Sequence, residues 1–284
     1  MLKGLILRIK KRKVEKIISH IKSVKIQGAR NIAKAALKAY CLLPTKEVKE
    51  RLINARPTEP MLINTLNYFG KFGKEKTLSH FDRAQNAINQ FVFKLIKNNS
   101  IVFTHCHSTN VINALIYAKN NGKKFKVYNT ETRPLMQGRK TSQDLKSAGI
   151  DVTEFIDSAA RVALVKENRG DKLHADIVFL GADAILKAGV INKIGSGMFS
   201  EIAFDNHIPV YIVADSWKFS KKKVPIEQRA LNEVWNKASE EIRIENPAFE
   251  FIPKKYIKGI VSELGVLPLH KFLDSAEKSI KQPL

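Results

Sequence analysis

The residues best equipped for chemistry are consecutive: Thr104-His105-Cys106-His107-Ser108. A thiol between two imidazoles and two hydroxyls suits proton transfer or metal ligation. Adjacent residues on an extended segment point in alternate directions, and no second Cys/His pair stands at ligand spacing, so no metal is expected. The cluster ends an apolar run, Ile101–Phe103, and a helical pattern begins near Val111. A buried parallel strand delivers side chains to the carboxyl edge of a sheet in this way. At such an edge backbone N–H groups and a helix N-terminus would lower the pKa of Cys106, whereas a plain structural reading makes it a buried, inert thiol. Asp183 follows the apolar run Ile177–Leu180 and Gly181-Ala182. It reads either as a carboxylic acid kept protonated by poor solvation or as a helix N-cap. Two acid–base groups in different environments are the minimum for moving protons on adjacent carbons.

Other polar groups follow the remaining β-rich runs: Glu131-Thr132-Arg133-Pro134 with Gln137-Gly138, Asp157-Ser158, and a loop ending Asn192-Lys193-Ile194-Gly195. Arg133 and Lys193 offer charge-assisted bonds to phosphate, and Gln137 and Asn192 can fix hydroxyls. His107 and Ser108 are read as facing a substrate and His105 as packing. There is no GxGxxG loop, no GxxxxGK[ST] loop and no GxSxG elbow, so nicotinamide, ATP and α/β-hydrolase chemistry lack their usual markers. No cofactor is expected.

The elements that must hold these groups divide the chain in two. Residues 1–97 show helical periodicity and no convincing strand, as in Ile32, Ala33, Ala36, Leu37 and Tyr40. Pro44, Pro57, Pro60 and Gly70–Gly73 punctuate this half into separate helices. From residue 98 short β-rich runs, Ile101–Phe103, Phe125–Tyr128, Val152–Ile156, Ile177–Leu180 and Val210–Ala214, alternate with helical segments. That alternation specifies βαβ units. The expected fold is α/β: an N-terminal helical domain, 1–97, then a Rossmann-like, doubly wound parallel sheet domain, 98–284. A basic, irregular stretch from Lys218 to Asn246 follows the last run. A short helical pattern at Tyr256–Glu263 belongs to a tail expected to cross back over the sheet edge.

The 284 residues suffice for two domains, and 44% hydrophobic with 27% charged residues describes an ordinary globular protein. The net charge of +22 favours phosphorylated small molecules, nucleic acid or acidic partners. Basic residues crowd the first 25 positions, where Glu15 is the single acid, and a solvated helix face is the simplest reading. Cys41 and Cys106 cannot form a disulfide framework, which points to a reducing compartment. No run approaches a membrane span, so a cytoplasmic location without membrane contact is expected.

The motifs Thr104–Ser108 (THCHS), Thr130–Gly138 (TETRPLMQG), Asp157–Arg161 (DSAAR), Gly181–Asp183 (GAD) and Ile191–Gly195 (INKIG) occur in the order typical of one superfamily. The chain resembles the superfamily of ribose 1,5-bisphosphate isomerase, methylthioribose 1-phosphate isomerase and the alpha, beta and delta subunits of translation initiation factor 2B. The archaeal isomerase and its factor-like paralogues are most similar. Ala55–Thr58 and Asn246–Phe249 extend the resemblance over nearly the whole chain. It implies a helical domain, a Rossmann-like domain and a cleft between them. It implies catalytic roles for Cys106 and Asp183, substrate contacts from Arg56, Gln137, Asn192 and Lys193, and a phosphate loop at Gly28-Ala29. The implied reaction turns an aldose 1-phosphate into a ketose 1-phosphate, most simply ribose 1,5-bisphosphate into ribulose 1,5-bisphosphate. Cys106 would handle the proton at the reacting carbons and Asp183 the ring oxygen and O2. The alternative is a regulatory subunit that binds initiation factor 2, with a sugar phosphate or nucleotide as allosteric ligand. Such subunits generally lack the Cys/Asp pair. The family also implies homodimers, often assembled into hexamers. Gln27 stands where the isomerases usually have arginine, with Arg30 nearby, and the Asp183–Asn192 loop is one residue shorter than usual.

Overall fold

A computed structural model describes residues 2–165 and 174–281, with side chains from residue 4. Four helices open the chain: α1 (Leu2–Lys22), α2 (Ala29–Leu42), α3 (Lys46–Ala55) and α4 (Pro60–Leu95). The breaks fall at Pro44 and at the Arg56–Glu59 turn, because proline removes an N–H donor and restricts the residue before it. Gly73 interrupts the helical run as expected, so that two helices meet there within the span of α4. It kinks α4 with a φ of 78°, a conformation that costs glycine little. Val14, Ile18, Ile32, Ala36, Leu52, Leu62 and Leu66 form the helical core.

The second half contains a seven-stranded sheet flanked by helices. Its strands are β1 (Ser100–Phe103), β2 (Phe125–Thr130), β3 (Asp151–Phe155), β4 (Ile177–Leu180), β7 (Val210–Val213), β9 (Gly259–Ser262) and β10 (Gly265–Leu267). The order is β10-β9-β7-β4-β1-β2-β3, and only β10 runs antiparallel to its neighbour. The intervening helices are α5 (Thr109–Asn120), α6 (Gln137–Ser147), α7 (Ala160–Leu164), α8 (Ser196–Asp205) and α9 (Leu269–Lys281). β1 and β4 are wholly buried, which explains their unbroken apolar runs. Apolar cores lie on both faces of the sheet.

Two expectations are corrected. The segment from Asp183 to Asn192 is not a loop but the hairpin β5 (Ala184–Leu186) and β6 (Gly189–Lys193), joined by β8 (Phe249–Pro253) into a second antiparallel sheet. The helical pattern at Tyr256–Glu263 is a short 3-10 turn followed by β9, whose parallel pairing with β7 extends the main sheet. After β3 the chain is helical, a 3-10 turn at Asp157–Ala159 continuing into the short α7.

The turn between α4 and β1 contains the boundary proposed at residue 98, yet α4 serves both halves. Leu62 and Leu66 pack in the helical core, and Ile88 and Val92 pack against the sheet. The chain leaves β1 toward β2 and β3 on one side, then returns to place β4 on the other. A crevice opens beyond the carboxyl ends at such a reversal point. Among the described residues no helix is long and apolar enough to cross a membrane.

Candidate functional site

The crevice is a cavity of about 460 Å³ where the ends of β1 and β4 meet the N-termini of α2, α5 and α6. Gly28, Ala29, Ser108 and Gln137 mark those three N-termini on its wall. None of the three helices has an acidic residue in its first turn. Unpaired N–H groups and the positive end of each helix dipole make such termini anion sites. Lys25, Lys193 and Lys218 add positive charge to the wall.

Cys106 lies just past β1 with a φ of 66°, a left-handed conformation that is strained for a side chain with a Cβ. Its N–H donates to Thr132 Oγ1 at 3.0 Å, and its carbonyl accepts from Thr141 Oγ1 at 2.7 Å. Asp157 fixes the Thr132 turn by accepting from the N–H groups of Thr132 and Arg133 at 2.9 and 2.7 Å. The expected activation of the thiol is not what this geometry produces. Burial pushes Cys106 up to about 11, outweighing the opposing Lys193 charge and the His107 N–H. The group is a proton-holding thiol at neutral pH, because desolvation penalises the thiolate.

The flanking histidines diverge. His105 is buried against the Phe199 ring, with Nε2 donating to the Ile194 carbonyl at 2.8 Å and Nδ1 bonded to Thr130 Oγ1 at 2.5 Å. Its burial lowers its pKa to about 4, so it is neutral. His107 Nδ1 meets Thr141 Oγ1 at 3.1 Å, and its ring faces the cavity. With Cys106 they form no metal-ligand cluster among the described residues.

Asp183 faces Cys106's cavity from the end of β4, and β5 rather than a helix follows it, so it caps nothing. Burial raises its pKa against the charges of Lys218, Lys193 and Arg56. Asn192 and Lys193 sit on β6, where Asn192 Nδ2 donates to Ser196 Oγ at 2.9 Å. Lys193 Nζ lies 6.0 Å from the Phe249 ring centroid. Gln137 Oε1 and Ser108 Oγ are buried without hydrogen-bond partners, as groups awaiting a ligand would be. Gly181 lets Ser108 approach: a Cβ there would fall 2.7 Å from Ser108 Oγ.

Two candidates sit differently from expectation. Arg133 is not on the cavity wall; its guanidinium donates to the Val234 carbonyl at 3.3 Å because the Asp157-clamped turn directs it outward. Arg56 does line the cavity, but Glu227 holds its two terminal nitrogens at 3.1 and 2.6 Å, leaving Nε without a partner. Gln27 and Arg30 both reach the wall, with Arg30 paired to Asp82 at 2.7 Å.

Sequence reasoning missed Glu59, Lys218 and Arg229. Glu59, at the N-cap position of α4, is 3% exposed, and burial raises its pKa to about 8. Lys218 ends a 3-10 turn, Ser216–Lys218, braced by a buried cluster. Asp215 caps that turn through the Trp217 N–H at 2.9 Å and meets His80 Nε2 at 3.0 Å. Glu263 accepts from the Ser216 N–H at 3.1 Å, and the His80 ring stacks on Trp217 at 3.7 Å.

The sequence and the fold are similar to those of known proteins. Ribose 1,5-bisphosphate isomerase of Methanocaldococcus jannaschii is 35% identical, with 90% of this chain and 91% of that protein aligned. The crystal structure of the translation initiation factor eIF-2B of Pyrococcus horikoshii superposes with a TM-score of 0.79 at 26% identity, covering 90% of this chain and 97% of that one. The 5-methylthioribose 1-phosphate isomerase of Pyrococcus horikoshii shares the fold, with a TM-score of 0.74 at 22% identity over 93% of this chain and 87% of that one. Residues 44–269 match the sequence profile of the Initiation factor 2 subunit family, and the chain belongs to that family.

Proposed function

We propose that the chain is an aldose–ketose isomerase acting on a sugar 1-phosphate, with ribose 1,5-bisphosphate as substrate. The observation that carries the reading is the meeting of Cys106, a proton-holding thiol, and Asp183, a buried carboxyl whose pKa burial raises, in a cavity walled by three helix N-termini and several lysines. Such a wall suits phosphate, and the two acids suit the sugar between. The similarity to the M. jannaschii isomerase supports the substrate.

The chemistry balances without an external oxidant. Asp183 gives its proton to the ring oxygen, and the bond from C1 to that oxygen breaks with its electron pair going to the oxygen. The hydrogen on C2 passes to C1 with its electron pair, so C1 is reduced and C2 oxidised. The O2–H proton returns to the Asp183 carboxylate as C2 becomes a carbonyl. A thiol near 11 can give a proton but cannot serve as base at neutral pH, which favours this hydride passage over abstraction by a thiolate. Cys106 then acts as a donor beside the reacting carbons. Gln137, Ser108, Asn192 and His107 hold hydroxyls, while Gly28, Ala29 and Lys193 meet phosphate. Arg56 joins them only when Glu227 releases it.

The test is to incubate the protein with ribose 1,5-bisphosphate, methylthioribose 1-phosphate and a nucleoside monophosphate and to follow ketone formation by carbon NMR. A ketone signal from the bisphosphate is expected; ligand binding without any ketone would refute the reading. The likeness to the P. horikoshii factor supports a second reading, a regulatory subunit bound to initiation factor 2. Capture of that factor by a protein without turnover would favour it. We place the site of action in the cytoplasm and the working form as a homodimer or a hexamer. Exposed Ile156, Val162, Met198 and Phe204 suit a contact with a second copy.

A further inference from the structure

Among the described residues, Glu59 is a buried carboxyl with an unpartnered oxygen. Its side chain is 3% exposed, lines the cavity, and has one oxygen, Oε2, with no hydrogen-bond partner. Arg56 is engaged elsewhere, because Glu227 takes both of its terminal nitrogens, and no ion pair joins Glu59 to Lys218 among the described residues, although the Lys218 charge acts on it. Pro60 occupies the first helical position of α4, so Glu59 is held at the helix mouth, yet its side chain makes no cap bond. The carboxyl is thus aimed into the cavity and not used by the fold.

Asp183 lines the same cavity, and its negative charge acts on Glu59. Two carboxylates brought together out of water cannot both ionise cheaply, and the usual outcome is one retained proton held between them. The charged groups around the pair are Arg56, Lys218 and Glu227 on both acids, with Lys193 on Asp183.

We propose that Glu59 is a second acid–base group of this cavity and shares a single proton with Asp183, offering it to the hydroxylated part of the bound ligand. The role in turnover rests on the isomerase reading, whereas the shared proton does not. In that reaction the pair gives its proton to the ring oxygen and becomes doubly ionised. Repulsion then makes it a stronger base than either acid alone, suited to take the O2–H proton and restore the starting state. The C1–oxygen electron pair leaves with the first proton, and the O2–H pair becomes the new carbonyl bond. The sharing also explains how one site serves as acid and then as base on a single turnover.

Two measurements test this with Glu59→Gln and Asp183→Asn. Infrared titration of the intact protein reads the carbonyl stretch of a protonated carboxyl directly, whether or not there is turnover. The band is expected in the wild type at about pH 7 and lost by about pH 10, and in each variant removal of the neighbouring carboxyl charge should move its loss to lower pH while burial still favours the proton. A wild type without the band, or a band that titrates unchanged in Asp183→Asn, overturns the sharing. In kinetics, Glu59→Gln should lower kcat by about 100-fold, as loss of an acid–base group does, and should move the alkaline limb of the pH profile to lower pH. A uniform fall at every pH with the limb unmoved would show a structural role only and overturn the proposal. If the infrared pattern holds while the wild type turns over no sugar phosphate, the isomerase reading fails and the shared proton stands.

Discussion

The thiol of Cys106 gives the sharpest quantitative prediction. Its burial raises its pKa to about 11, against about 8.5 for a free cysteine, so at neutral pH it holds roughly 300-fold less thiolate. Each thiolate is more nucleophilic for being more basic, which with a Brønsted slope of about 0.4–0.5 returns roughly tenfold. Reaction with a small neutral disulfide such as hydroxyethyl disulfide should therefore be about 30-fold slower than for free cysteine before any steric hindrance is counted. Restricted access would slow the rate further but would not alter its pH dependence. The assay is mass-spectrometric labelling of the Cys106 peptide in a Cys41→Ser background. The logarithm of the rate should rise linearly with pH, with no plateau up to about pH 10. A plateau beginning below about pH 8.5 would show a stabilised thiolate and refute the claim that desolvation outweighs Lys193 and the His107 N–H.

Gly181→Ala places a Cβ 2.7 Å from Ser108 Oγ, so Ser108 must shift. Stability should fall by about 1–3 kcal/mol in denaturant titration, with ligand affinity lost as well. At Gly138 a Cβ would meet the Thr130 carbonyl oxygen at 1.7 Å, an impossible contact with backbone. Gly138→Ala should therefore cost more than about 3 kcal/mol or prevent folding, read by thermal unfolding. Burial pushes His80 down, but the charges of Asp215 and Glu263 more than offset it and its pKa is raised overall. Its contribution to stability is complete below its unfolded value of about 6.5 and is lost as pH rises through the folded value. Unfolding measured across that range should show this loss in the wild type and not in His80→Gln, which should itself cost about 3–5 kcal/mol by leaving Asp215 unpaired. Glu59 works against stability: burial lifts it from 4.5 to about 8, so stability declines as pH rises between those values. Glu59→Gln should become more stable than the wild type toward pH 8, and equal stability at every pH would contradict the burial of a charge there.

The parts of the fold that show in the sequence are those buried on both sides. β1, β4 and β7 are continuous apolar runs because helices cover both faces of the parallel sheet, and their strand ends located Cys106 and Asp183. β9 was hidden because Ile257, Ile260 and Val261 fall at three- and four-residue spacing, the period of a helix, although tertiary pairing with β7 makes them a strand. β5 and β6 are three and five residues long, too short to carry alternation, and their hairpin reads as a loop. The charge of Arg133 beside a strand end marks it in sequence as a phosphate ligand, but Thr132 at a φ of 63° and the Asp157 clamp direct it away. Glu59 and Lys218 resemble surface charges in sequence. Their burial follows from long-range packing of α4 and of the 3-10 turn around the cavity, which no local pattern records.

The reaction at the cavity is tested most directly by turnover of ribose 1,5-bisphosphate deuterated at C2, followed by NMR in wild type, Cys106→Ser and Asp183→Asn. The account predicts ketose with the deuterium carried to C1 in the wild type, and a fall of about 100-fold or more in each variant. Wild-type rates in both variants, or no ketose from a correctly folded wild-type protein that binds the sugar, would contradict it.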